Sequence, residues 1–118
     1  MSNTKIKILI TIVNWNQREL LKKCLSSLKT HLPLPYQIIV IDNGSSDGSL
    51  PMVRQEFPQV VTIENKENIG FARANNQALN FIQEQQIKAD YLIFFNNDAF
   101  LKDDSLAQLI NLSLIHIS

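Results

Sequence analysis

The 118-residue chain predicts an α/β fold: three layers built on a mainly parallel sheet. Four short runs rich in branched or aromatic residues lead there: KIKILITIV (5–13), QIIVI (37–41), VVTIE (60–64) and YLIFF (91–95). Stretches with helical spacing separate them. The second and fourth runs are continuously apolar, as strands covered on both faces are. Polar residues, finally, gather after these runs rather than before them.

Each element has its own justification. The first run is a strand ending at Val13. Over 17–32, Leu20, Leu21, Cys24, Leu25, Leu28 and Leu32 form one stripe, with Arg18, Lys22, Lys23 and Lys29 largely off it. Asn16 followed by Glu19 reads as a capping box, and Pro33 and Pro35 end that helix. After the second strand, Asp47 is placed to cap a short helix over 48–57 with Leu50, Val53 and Phe57 inward. The third strand leads to a helix over about 70–86, where Phe71, Ala74, Ala78 and Ile82 recur at helical intervals. Beyond the fourth strand, Asp103 or Asp104 caps a last helix carrying Leu106, Leu109 and Ile110.

Strands alternating with helices imply right-handed crossovers and a Rossmann-like sheet. The predicted strand order is 3-2-1-4, with the switch point between strands 1 and 4. Ligands of such sheets bind beyond the carboxyl ends of the strands at that point. The polar clusters fall there: NWN, DNGSSDGS, NKENIGFARANN and NNDAF each follow a strand. HLPLPY, PQ and QIKAD, which lead into strands, read as plain turns.

Bulk properties narrow the classes. Eleven acidic and eleven basic residues balance, with a pI near 6.7, so bulk charge gives no reason to expect nucleic acid. Cys24 is the single cysteine, which excludes an internal disulfide and a cysteine-rich metal site and fits a reducing compartment. ILITIV is too short for a signal-peptide core, and no run is long enough to cross a bilayer. The expectation is a cytoplasmic protein.

Asp98, flanked by Asn96 and Asn97, offers hard oxygen suited to Mg²⁺ or Mn²⁺. An Asx-turn into the next helix explains the same residues equally well. Asp42 ends the second strand, where it is placed to accept a hydrogen bond from a base or ribose, or to cap the NGSSDG turn. That turn accounts for Gly44 and Gly48. Trp15 could stack on a base or sit under a loop as core. Asn14 and Asn16 flank it, the latter as readily a cap as a contact.

Gly70 opens a helix whose free N–H groups and dipole favour a phosphate. Arg73 reads as a solvated side chain and Phe71 as core. Asn75 and Asn76 are each disfavoured mid-helix by up to about 0.7 kcal/mol relative to Ala, so at least one should have a buried or ligand-facing role. His31 suits a helix C-terminus and His116 lies near the end of the chain. There is no nucleophile–His–Asp set, zinc spacing or Walker loop. VNWN is not the glycine-rich turn of a dinucleotide site.

Together ITIVNWNQRELLKKCLSSL, IIVIDNGSSDGS, ENIGFARANNQAL and YLIFFNNDAF resemble the donor-binding half of family 2 glycosyltransferases with the GT-A fold, in the rhamnosyltransferase-like branch. The resemblance implies that Trp15 packs on a uracil or thymine ring and that Asp42 contacts the base. It implies that Gly70, Asn76 and Asn97 approach the donor, and that Asp98 binds Mg²⁺ or Mn²⁺ bridging its diphosphate. NND at 96–98 stands where the family has D-x-D, with Asn96 replacing the first acid. The implied reaction is inverting transfer of a sugar, rhamnose in this branch, from a UDP- or dTDP-sugar to a hydroxyl of a carbohydrate or lipid-linked acceptor. Cell-wall or polysaccharide synthesis, with peripheral contact at the inner membrane face, is the implied setting.

Residues 1–112 are then read as an incomplete domain and 113–118 as a foreign or truncated tail. The family's catalytic base belongs to an acceptor-binding half, so no catalytic residue is assigned. The chain alone is expected to bind a nucleoside diphosphate weakly and transfer little sugar. Two alternatives stand beside this reading. One is a non-catalytic nucleotide-binding remnant. The other is a sugar-1-phosphate nucleotidyltransferase, which would want a glycine-rich basic loop where this chain has NWNQRE.

Overall fold

The computed structural model describes residues 7–32 and 35–95 and the backbone of 115–116. Its elements run β1 (Ile8–Asn14), α1 (Arg18–His31), β2 (Tyr36–Asn43), α2 (Ser49–Glu56), β3 (Val61–Asn65), α3 (Phe71–Glu84), β4 (Tyr91–Phe94) and β5 (Ile115–His116). The sheet order is β3-β2-β1-β4-β5. The first four strands pair in parallel, in the expected order 3-2-1-4. β5, within the segment read as a tail, adds an antiparallel edge pair, Tyr91↔His116 and Leu92↔Ile115. Two residues carry too little pattern to be anticipated. The helix expected after Asp103 or Asp104 lies outside the described residues.

Strand alternation sends successive side chains to opposite faces. One face carries Ile8, Ile10, Ile12, Ile38, Val40, Ile93 and Phe95 in a cluster with Leu21, Cys24, Leu25 and Leu28 of α1 and Met52 and Val53 of α2. The other carries Leu9, Ile39, Ile41 and Leu92 under Ala74, Ala78 and Ile82 of α3. This double coverage is why β2 is continuously apolar from Ile38 to Ile41.

Phe71 departs from expectation: it is 58% exposed. It points along the same side of α3 as Ala78 and Ile82, at about 100° per residue, so direction is not the cause. The first turn of α3 begins level with the end of β2, where the Asn43 amide reaches the Gly70 carbonyl at 3.4 Å. Among the described residues, no strand lies beneath it to cover the ring. Among the described residues, no helix is long and apolar enough to cross a membrane.

Candidate functional site at the carboxyl ends of the strands

Asn14, the last residue of β1, and its register partner Asp42, next to last in β2, lie on the α1/α2 side of the sheet. They are 0% and 2% exposed. Two such buried polar groups need partners. The Asn14 amide donates to Asp42 Oδ1 at 3.0 Å and to Ser45 Oγ at 3.3 Å. Ser45 donates its backbone N–H to Asp42 Oδ2 at 2.9 Å and its hydroxyl to Oδ1 at 2.7 Å. The Asn16 N–H donates to the same hydroxyl at 2.8 Å.

Asn16 takes a left-handed conformation, φ 50°. Its Oδ1 accepts the Ser46 N–H at 2.7 Å. Asn16 therefore ties two loops together and does not cap α1. That cap comes from Asp47, whose Oδ2 accepts the Arg18 N–H at 2.9 Å while Oδ1 accepts from the Ser49 backbone at 3.0 Å and from the Ser49 hydroxyl. One carboxylate thus serves the first turns of both α1 and α2. Burial pushes its pKa up, but the bonds from Ser49 and from the Arg18 N–H outweigh that and hold it below the ordinary carboxylate value.

The third loop is fastened by amides on the α3 side. Asn65 and Gln77 exchange a reciprocal pair of bonds at 2.7 and 2.8 Å, and the Asn65 amide also reaches Asn43 Oδ1 at 2.9 Å. Asn43 donates to Asn68 Oδ1 at 3.2 Å, and Asn68 Oδ1 accepts the Gly70 N–H at 2.8 Å. Gly44 lets the second loop touch the third: a Cβ there would lie 2.8 Å from Glu67 Cα.

Residues 9–113 match the model of glycosyl transferase family 2. The chain belongs to that family. It is 35% identical over 109 residues to the uncharacterized glycosyltransferase YfnE of Bacillus subtilis, covering 89% of this chain and 26% of that protein. It is 32% identical over 114 residues to a poly(ribitol-phosphate) beta-glucosyltransferase of Bacillus spizizenii, covering 92% and 17%. It is 30% identical over 108 residues to the O-antigen chain rhamnosyltransferase RfbN of Salmonella typhimurium, covering 89% and 32%. The chain thus spans a third or less of the length of these relatives.

The family's GT-A architecture is also found in solved structures. The mannosyltransferase PcManGT of Pyrobaculum calidifontis, in complex with GDP-Man and Mn²⁺, superposes with a TM-score of 0.70 at 23% identity, over 85% of this chain and 30% of that one. A 4-diphosphocytidyl-2C-methyl-D-erythritol synthase reaches 0.73 at 17% identity, over 94% and 55%. At these identities the likeness is one of fold.

Of the residues that resemblance to the family singled out, Trp15, Asp42 and Gly70 lie on one rim. Trp15 is 52% exposed beside the buried Asn14–Asp42 pair, so it is not core. Gly70 takes φ 90° at the start of α3, which an L side chain would resist. Asn76 is exposed, about 140° round α3 from Phe71 and so turned away from the sheet. Its neighbour Asn75 is the buried one. Asn97 and Asp98 lie outside the described residues. Among the described residues no group of three or more His, Cys, Asp or Glu side chains could hold a metal ion, and Asp42 is engaged by three hydrogen bonds.

Reading the sequence assigned nothing to Ser45, Asn43, Asn65 or Gln77. Their only signal was position after a strand end or on the following helix. Two cavities open elsewhere: about 220 Å³ beside Tyr36 and Phe57, and about 1030 Å³ between α3 and Asp90. Neither borders this polar rim.

Proposed function

We propose that the chain forms the donor-binding side of an inverting glycosyltransferase, taking a UDP- or dTDP-sugar and serving transfer to an acceptor hydroxyl. One observation carries the reading: a half-exposed indole stands on a hydrogen-bonded loop beside a buried carboxylate at the strand ends. An indole face held there suits a pyrimidine ring. Asp42 Oδ2 accepts one bond and keeps a lone pair for an imide N–H. The free N–H groups in the first turn of α3, after Gly70, suit a diphosphate. Asn76 and Asn97 are assigned to the donor side.

Asp98 is proposed to hold Mg²⁺ or Mn²⁺, which when bound would neutralise charge on the departing nucleoside diphosphate. In the transfer itself the acceptor hydroxyl attacks the anomeric carbon opposite that leaving group, after losing its proton to a base. No base is assigned within this chain. Rhamnose as the sugar is supported by the rhamnosyltransferase relative, and a polymeric acceptor by the poly(ribitol-phosphate) beta-glucosyltransferase relative. A lipid-linked acceptor would bring the protein to the inner membrane face from the cytoplasm.

Trp15 is the single tryptophan, so its fluorescence reports on this loop alone. UDP or dTDP should quench it saturably, at lower concentration with Mn²⁺ present. Trp15→Ala should weaken UDP binding about tenfold by calorimetry, as loss of one base–aromatic stack does. A wild-type chain that responds to neither UDP nor dTDP, with or without Mn²⁺, refutes the proposal, and nucleotide binding that Mn²⁺ leaves unchanged favours the non-catalytic nucleotide-binding remnant. The nucleotidyltransferase alternative has the fold likeness of the synthase in its favour and the loop NWNQRE against it.

A further inference from the structure

We infer that Ser45 and Asn16 are positioning residues that set the pose of Trp15 and the orientation of Asp42 together, and through them donor affinity. The inference rests on the donor-site reading above. The indole is 52% exposed, and the direction in which it leaves the chain is set by the backbone beneath it. That backbone is clamped on both sides. Asn14 is held by Asp42 Oδ1 and Ser45 Oγ, and Asn16 by Ser45 Oγ and the Ser46 N–H.

The proton on Ser45 Oγ has one destination. The Asn14 amide and the Asn16 N–H can only donate, so the hydroxyl accepts from both and must give its hydrogen to Asp42 Oδ1. Every hydrogen-bonding position of this hydroxyl is then used. Oδ1 is filled by Asn14 and Ser45, which leaves Oδ2, with one bond, as the oxygen with acceptor capacity to spare. One hydroxyl therefore fixes both the aromatic face and the acceptor edge. Preorganisation of this kind raises affinity by removing ordering cost at binding.

Time-resolved anisotropy of Trp15 without nucleotide tests the clamp, and calorimetric titration with UDP and Mn²⁺ tests its consequence. Ser45→Ala removes the hub. Asn16→Gly keeps the left-handed backbone but deletes the bond to the Ser46 N–H. Asn16→Asp keeps the acceptor and serves as rescue. The wild-type indole should move with the whole protein. Ser45→Ala and Asn16→Gly should free it and raise the UDP dissociation constant about fivefold. Asn16→Asp should behave as wild type in both measurements.

Equal Trp15 mobility in wild type and folded variants overturns the inference whether or not nucleotide binds. A freed indole with unchanged UDP affinity overturns the positioning role. If Ser45→Ala fails to fold by circular dichroism, the two Asn16 variants decide alone. A wild-type chain that ignores nucleotide sinks the donor-site reading instead, and the anisotropy arm separates the two failures.

Discussion

The two ends of the sheet are held together by different chemistry. Where strands begin, the chain closes largely on its own backbone. Ile8 N donates to Pro35 O at 2.9 Å, and Lys7 O accepts from Asp90 N at 2.9 Å and Tyr91 N at 3.3 Å. Where strands end, side chains do the fastening: Asn14, Asn16, Asp42, Ser45 and Asp47 join the first two loops, and Asn43, Asn65, Asn68 and Gln77 fasten the third. Backbone closure tolerates almost any side chain. Side-chain closure specifies particular residues, as preorganisation of the proposed donor site would require.

The contrast should appear most strongly at Gly44. Its φ of 78° costs an L side chain about 1–2 kcal/mol. A Cβ would also meet backbone, 2.8 Å from Glu67 Cα and 3.0 Å from Lys66 O. Gly44→Ala should therefore lose about 3 kcal/mol in urea unfolding, since neither loop can yield without moving the other. Gly48 has a similar φ of 83°, but a Cβ there meets the mobile end of Arg18 at 3.3 Å. Gly48→Ala should lose about 1 kcal/mol. Equal losses at the two positions would show that strain alone matters and that the loops are not locked to each other.

Asp42 sharpens the comparison one step down. Asp42→Ala takes an acceptor from the Asn14 amide, the Ser45 N–H and the Ser45 hydroxyl at a position only 2% exposed, and should lose about 2–3 kcal/mol. At the opposite end Asp90 also accepts a backbone N–H, from Lys7 at 2.9 Å, but in solvent. Asp90→Ala should change stability by less than about 0.5 kcal/mol, because water replaces the carboxylate. Similar losses from the two variants would erase the distinction between the two ends.

The same distinction explains what could be read from the sequence. Strand order and helix faces were legible because covered strands must be continuously apolar and helices must carry a stripe. QIIVI and the Leu21–Cys24–Leu28 spacing leave few other folds. That polar residues gather after strands was equally visible and located the rim. How they pair was not. Asn16 and Glu19 have the spacing of a local cap, yet the carboxylate that caps α1 comes from Asp47, 29 residues on, and Glu19 is exposed. Phe71 sits on the inward side of α3, and only the position of the strand ends shows why, among the described residues, the ring stays exposed. Of Asn75 and Asn76, the pattern required one with a role, and depth within the helix face selected Asn75 for burial. Periodicity reports what a residue faces along its own element; these features depend on what another element brings to it.

Asp47 offers a smaller effect than Gly44 or Asp42, and one that pH can separate. Its carboxyl is held below the ordinary value of 3.8 in the folded chain, so it binds its proton less readily there than when unfolded. The resulting stabilisation is present above pH 3.8 and is lost as pH falls below that value through the folded pKa. Removing a cap of this kind costs about 1 kcal/mol, so Asp47→Ala should melt a few degrees lower at neutral pH. The gap should narrow as acid protonates the wild-type carboxylate. The first turns of α1 and α2 should lose amide protection together in hydrogen exchange, because one side chain serves both. Loss confined to α2 would mean that the Arg18 N–H contact contributes nothing, and that the first two loops are joined through Ser45 and Asn16 alone.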